Sequence, residues 1–200
     1  MIRVLLFDVD GVLANGEAFS SHLERDYGIS PQMTASFFQE KFMACLTGSA
    51  DLKTELAAYL VAWGWSKSVE AFLDYWFTCE HIIDQPLVEY VQQLRQQGVR
   101  CYIATQQEKY RTAYILEQMG FAQAFDGMFS SAQLGVLKND QTFFTQILQT
   151  LDNIAAEEIL FWDDTARNVT VARQTGMHAE LYTDFPHFQQ TILHYDLATH

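Results

Sequence analysis

The chain has 200 residues, is 49% hydrophobic and 14% aromatic, and carries a net charge of −13 from 12 basic and 25 acidic side chains. That is enough apolar material for one full core, or a core with a modest insertion, and too little charge for a disordered chain. So acidic a balance argues against nucleic acid and anionic membrane surfaces as partners, since both are held mainly by basic residues. Taken in chain order, the first feature is a continuous apolar run over residues 4–7 that ends in Asp8-Val9-Asp10-Gly11. A short run of this kind suits a strand buried on both faces. Residues 17–84 contain no clear strand and four helical candidates, over 17–27, 31–47, 50–62 and 67–80, with starts at Ser30-Pro31, Ser49 and Ser66. Beyond them, strand-like runs at 99–105, 159–162 and 179–182, and a weaker one at 127–130, alternate with helical patterns at 86–97, 108–119, 140–151 and 166–175. Strand–helix alternation predicts an α/β fold with a parallel sheet covered by helices on both faces. The predicted division is a core of residues 1–16 and 85–200 interrupted by a helical unit at 17–84.

Ligands of open parallel sheets bind outside the carboxyl ends of the strands. Asp8 and Asp10 follow the first run, Thr105 ends the second, and Asp163 and Asp164 follow the run at 159–162, with Lys138 in the loop before the helix at 140–151. Several carboxylates, a hydroxyl and an ammonium at one sheet edge suit magnesium-assisted phosphoryl transfer. One carboxylate can attack while its neighbour two residues on handles the proton. Asp10-Gly11 alone is an ordinary turn, and a calcium loop beginning Asp-x-Asp fails because Val12 and Phe19 stand at ligand positions. Only the ordered set makes the pair a site.

Phe7-Asp8-Val9-Asp10-Gly11-Val12-Leu13, Thr105, Gly135-Val136-Leu137-Lys138 and Asp163-Asp164-Thr165-Ala166-Arg167-Asn168 resemble, in order and spacing, the four motifs of the haloacid dehalogenase-like (HAD) superfamily. The resemblance implies a Rossmann-like core with a small helical cap placed after the first strand. It implies Asp8 as the nucleophile that becomes an aspartyl-phosphate, and Asp10 as the acid that protonates the leaving group and then activates water. It implies Mg2+ held by the Asp8 carboxylate, the Asp10 backbone carbonyl and Asp164, with Asp163 supporting the metal's waters. Thr105, the Gln106 backbone and Lys138 would bind the phosphoryl group. Asn139 stands where the family often has Pro, and Gln106 where Asn is common. The presence of Asp10 points away from dehalogenases, which lack an acid there.

The expected protein is a phosphatase acting on a small phosphorylated metabolite. A phosphomutase on the same scaffold, a phosphate-receiving signalling module and a non-catalytic binding member are the rival readings. Trp63, Trp65 and Trp76 read as core of the helical unit, the six histidines show no metal spacing, and Cys45, Cys79 and Cys101 read as buried free thiols. No stretch nears the roughly 20 apolar residues of a membrane span. The apolar start is shorter than a signal-peptide core and ends in Asp8, so a signal peptide is not expected there. A soluble cytoplasmic monomer or homodimer is expected.

Overall fold

In a computed structural model of the protein, which describes residues 1–198, the run Val4–Phe7 forms β1, buried at every position. Four more strands flank it: β2 (Arg100–Thr105), β3 (Gly127–Ser130), β4 (Ile159–Asp163) and β5 (His178–Leu181). All pairings are parallel, in the order β3-β2-β1-β4-β5. The order reverses between β1 and β4, so this is the point where a crevice opens at the strands' carboxyl ends.

The period of two along β1 sends its side chains to opposite faces. Leu5 and Phe7 join Leu87, Val91 and Leu94 of α6 (Gln85–Gln96) and Phe188 and Ile192 of α12 (Phe185–Ile192). Val4 and Leu6 join Phe143, Phe144 and Ile147 of α10 (Gln141–Thr150) and Val169 and Ala172 of α11 (Ala166–Gln174). Full burial of one such large side chain stabilises by roughly 1.5–3 kcal/mol, so both faces are held independently. On the first face, α7 (Lys109–Glu117) and the short α8 (Phe121–Ala124) link β2 to β3; α9 (Ser131–Leu134) follows β3, with Leu134 packed against the second face.

Between β1 and α6 lie only helices: α1 (Phe19–Tyr27), α2 (Pro31–Ser36), α3 (Phe42–Leu46), α4 (Leu52–Ala62) and α5 (Val69–Cys79). They enclose a third apolar cluster that includes Phe37, Trp63, Trp65, Phe72 and Trp76, with Tyr110 and Tyr114 of α7 packed against it. The second predicted helix is not regular. A π-helical turn at Phe37–Lys41 separates α2 from α3, and its extra residue per turn lets Phe37, Phe38 and Phe42 pack together on one side. Two predicted starts are corrected. Asp51 and Ser68 cap α4 and α5, their side chains accepting from the Thr54 and Ala71 amides. The Ser49 hydroxyl instead donates to the Ala44 carbonyl at the end of α3. The two connections to the sheet pair with each other: the Asn15 amide donates to Ile82 and the Asp84 amide to Leu13.

Trp63, Trp65 and Trp76 are buried, as are the Cys45 and Cys101 thiols; Cys79 is only half-buried. No helix among the described residues is long and apolar enough to cross a membrane.

Candidate active site

The site begins where β1 ends. The Asp8 amide donates to the Trp162 carbonyl, extending the β1–β4 pairing and fixing Asp8 at the switch point. Beyond Asp10 the chain turns sharply: Val12 and Ala14 amides both donate to the Val9 carbonyl, and Gly11 adopts φ +77°. A side chain at Gly11 would be strained in that conformation, and its Cβ would stand 2.1 Å from an Asp164 carboxylate oxygen. Glycine therefore lets the β4 carboxylate close onto the β1 loop.

Lys138 is buried, and its Nζ lies 2.5 Å from Asp8 Oδ2 and 2.7 Å from Asp163 Oδ2. One ammonium thus ties together the ends of two strands. Asp163 also accepts from the Thr165 amide and from Asn168 Nδ2. Burial pushes the Asp8 carboxyl up to about 7; Lys138 pulls against that, and the Asp163 charge adds to it. Burial lowers the Lys138 ammonium, but the charges of Asp8 and Asp163 overcome this and hold it above its ordinary value. Burial and the Asp163 charge also raise Asp164. A buried carboxylate cluster of this kind is stable only with cations among it.

Carboxylate oxygens of Asp8, Asp163 and Asp164 lie within 4.8 Å of one another. Hard oxygen donors at this spacing fit Mg2+. Asp163 is engaged by an ammonium, a backbone amide and an Asn side chain, Asp8 by the same ammonium and the Val9 amide, and Asp164 by the Thr165 hydroxyl alone, so Asp164 is the least committed of the three. The neighbouring cavity of about 440 Å³ is lined by Asp8, Asp10, Thr105, Gln106, Lys138 and Asp164, among others. Of the site residues singled out in the sequence, all but the fully buried Asp163 thus line one space. The Gln106 side chain has a further part: its Oε1 accepts from the Lys138 amide, holding the lysine loop despite Asn139.

Three residues on the Asp10 side were missed in the sequence. Gln107 Nε2 donates to Asp10 Oδ2 at 2.6 Å. Buried Arg111, on α7, lies 3.7 Å from Asp10 Oδ1 and 3.6 Å from Glu80 Oε2, and donates to the Phe77 and Glu80 carbonyls at the end of α5. Burial, then the Asp10 charge, pushes the Glu80 carboxyl up to about 7, against Arg111. Gln107, two residues past the strand-end Thr105, was open to the same edge argument. Nothing local in the sequence marks Arg111 or Glu80, whose meeting depends on how the helices pack.

A parallel α/β sheet whose switch point gathers paired aspartates, a strand-end threonine and a buried lysine defines a hydrolase site of the HAD class. The sequence profile of the haloacid dehalogenase-like hydrolases matches residues 2–176, and the chain belongs to that family. Solved structures that share its fold include the following two. A predicted HAD-like family hydrolase of Porphyromonas gingivalis has TM-score 0.79 at 20% identity, over 96% of this chain and 98% of that one. A HAD family enzyme of Bacteroides thetaiotaomicron, in complex with magnesium and inorganic phosphate, has TM-score 0.79 at 18% identity, over 94% and 99%. A sesquiterpene phosphatase of Aspergillus oryzae is 34% identical over 101 residues, which is 50% of this chain and 51% of that protein. The chain spans about half the length of that relative.

Proposed function

We propose that the chain is a magnesium-dependent phosphatase of a small phosphorylated metabolite, working through an aspartyl-phosphate on Asp8. The observation that carries this reading is the Lys138 ammonium bridging Asp8 and Asp163 beside a cavity shared with Thr105 and Asp10. In the first step an Asp8 oxygen forms a bond to phosphorus, the ester P–O bond breaks, and Asp10 gives its proton to the departing oxygen. In the second, Asp10 takes a proton from water as that water attacks phosphorus, and Asp8 is released with inorganic phosphate. Thr105 Oγ1, backbone amides near Gln106 and the Lys138 ammonium hold the phosphoryl oxygens. Asp8, the Asp10 carbonyl and Asp164 would hold Mg2+, which when bound would supply the charge neutralisation that keeps Asp8 ionised and offsets the substrate's charge.

Hydrolysis rather than transfer to a sugar is supported by the exposure of Asp10, whose side chain is 56% accessible. Water can reach the group that must activate it, whereas a mutase has to exclude water. The phosphatase relative points the same way. Residues 17–84 are the cap in this reading, hinged at the paired connections of residues 13–15 and 82–84, and they line the leaving-group side. Purified protein should hydrolyse p-nitrophenyl phosphate with magnesium, lose that activity on chelation, and lose it by at least about 10³-fold in Asp8→Asn. Unchanged turnover in Asp8→Asn would refute the mechanism.

A further inference from the structure

A second cavity, of about 180 Å³, meets the phosphoryl cavity at Asp10. Its walls come from the two sides of the molecule: Phe42, Leu46, Trp76 and Phe77 from the helices of residues 19–79, and Arg111 and Gln107 from the sheet side. Asp10 therefore stands between the space that takes the phosphoryl group and a space bounded largely by hydrocarbon. A group that protonates a leaving oxygen has to stand where the two halves of the ester part.

The charge of this second space is set by Arg111. Its guanidinium is flanked by the Asp10 and Glu80 carboxylates at 3.7 and 3.6 Å. Glu108, which also lines the space, is occupied in capping α7, accepting from the Tyr110 and Arg111 amides. The guanidinium is thus already engaged by two carboxyl groups and by the Phe77 and Glu80 carbonyls, which leaves no accessible cationic donor for an anionic leaving group. Arg111 is 3% exposed, and its Nε–H has no hydrogen-bond partner among the described residues. A buried polar group without a partner is costly. The same cost falls on hydroxyls placed against the aromatic wall, at about tenfold in binding for each one stranded.

We propose that this cavity is the leaving-group pocket and that it selects phosphate esters of neutral, apolar alcohols. The inference rests on the phosphatase reading of Asp8 and Asp10. The volume holds about six water-sized groups, which suits a six-carbon chain or ring as its first occupant.

The test compares kcat/KM, with magnesium present, for hexyl phosphate, a hexitol phosphate and the phosphate ester of 6-hydroxyhexanoate, using p-nitrophenyl phosphate turnover in wild type and Asp8→Asn as reference. Hexyl phosphate should exceed each of the other two by roughly tenfold or more. Leu46→Gln, near in size but polar at its end, should cut that preference at least about fivefold. Phe42→Tyr, at a half-buried position, serves the same purpose if Leu46→Gln does not fold. Asp8-dependent turnover with the hexitol ester equal or preferred overturns the pocket's selectivity and leaves the phosphatase reading standing. A hexyl preference untouched in both variants overturns the pocket's location. Absence of Asp8-dependent turnover with every ester removes the phosphatase reading and the inference with it.

Discussion

Two of the cavities that meet at Asp10, the phosphoryl cavity and the one walled by Phe42, Leu46, Trp76 and Phe77, are built by different means. On one side, strand ends β1 and β4 and the Lys138 loop bring carboxylates and an ammonium within 2.5–2.7 Å, almost wholly out of water. On the other, helices supply aromatic and aliphatic walls, and the ion pairs of Arg111 there are longer, at 3.6–3.7 Å. The sheet side is rigid because its charged groups sit on paired backbone. The helical side is joined to the sheet by two short connections and by the contacts of Arg111, Tyr110 and Tyr114. Chemistry that must not vary sits on the first kind of support, and selection of the leaving group sits on the second.

Breaking the sheet side should cost most. Lys138→Met leaves Asp8 and Asp163 buried without their cation. It should destabilise by about 3–5 kcal/mol in urea unfolding, and remove turnover even in molecules that remain folded. A variant as stable as the parent would mean that the ammonium does not hold the two strand ends together.

The boundary between the cavities should be more tolerant. Gln107→Leu removes the hydrogen bond to Asp10 and should lower kcat about tenfold, with KM for p-nitrophenyl phosphate little changed. An equal rise in KM would instead mean that Gln107 binds the substrate.

The smallest effect belongs to the helical side and appears in stability. Glu80 is raised in the folded protein from 4.5 to about 7. Its contribution to stability is therefore fully present below about pH 4.5 and lost as pH rises through about 7. Glu80→Gln lacks that loss. Relative to wild type, its unfolding free energy should rise by on the order of 1 kcal/mol between about pH 5 and pH 8, a figure discounted for the quarter of the side chain that stays wet. A difference that stays flat with pH would show that the Glu80 carboxyl is not perturbed.

The same contrast decides how much was legible in the sequence. Continuous apolar runs announce buried parallel strands, and the residues that follow them fall at one edge of the sheet. Asp8, Thr105 and Asp163-Asp164 could therefore be placed together without coordinates. Lys138, in a loop, was harder, because its burial depends on two strand ends that are distant in sequence. Four-residue helices such as α8 and α9 are too short to show a period. The last helix, α12, was overlooked although Asp184 and Pro186 mark its start. The π-helical turn at Phe37–Lys41 has no local signature beyond crowded aromatics. Arg111 and Glu80 meet only because α5 docks on α7, a packing fact that neither period nor motif reports.

The central claim is that Asp8 carries the phosphoryl group and Asp10 moves the proton. The most direct measurement is mass spectrometry of acid-quenched Asp10→Asn protein mixed with magnesium and p-nitrophenyl phosphate. Without a base to activate water, the intermediate should accumulate, giving one phosphoryl group per chain on the peptide that contains Asp8. The mark should disappear in the Asp8→Asn, Asp10→Asn double variant. Phosphorylation at another residue, or undiminished turnover with none, would contradict the account.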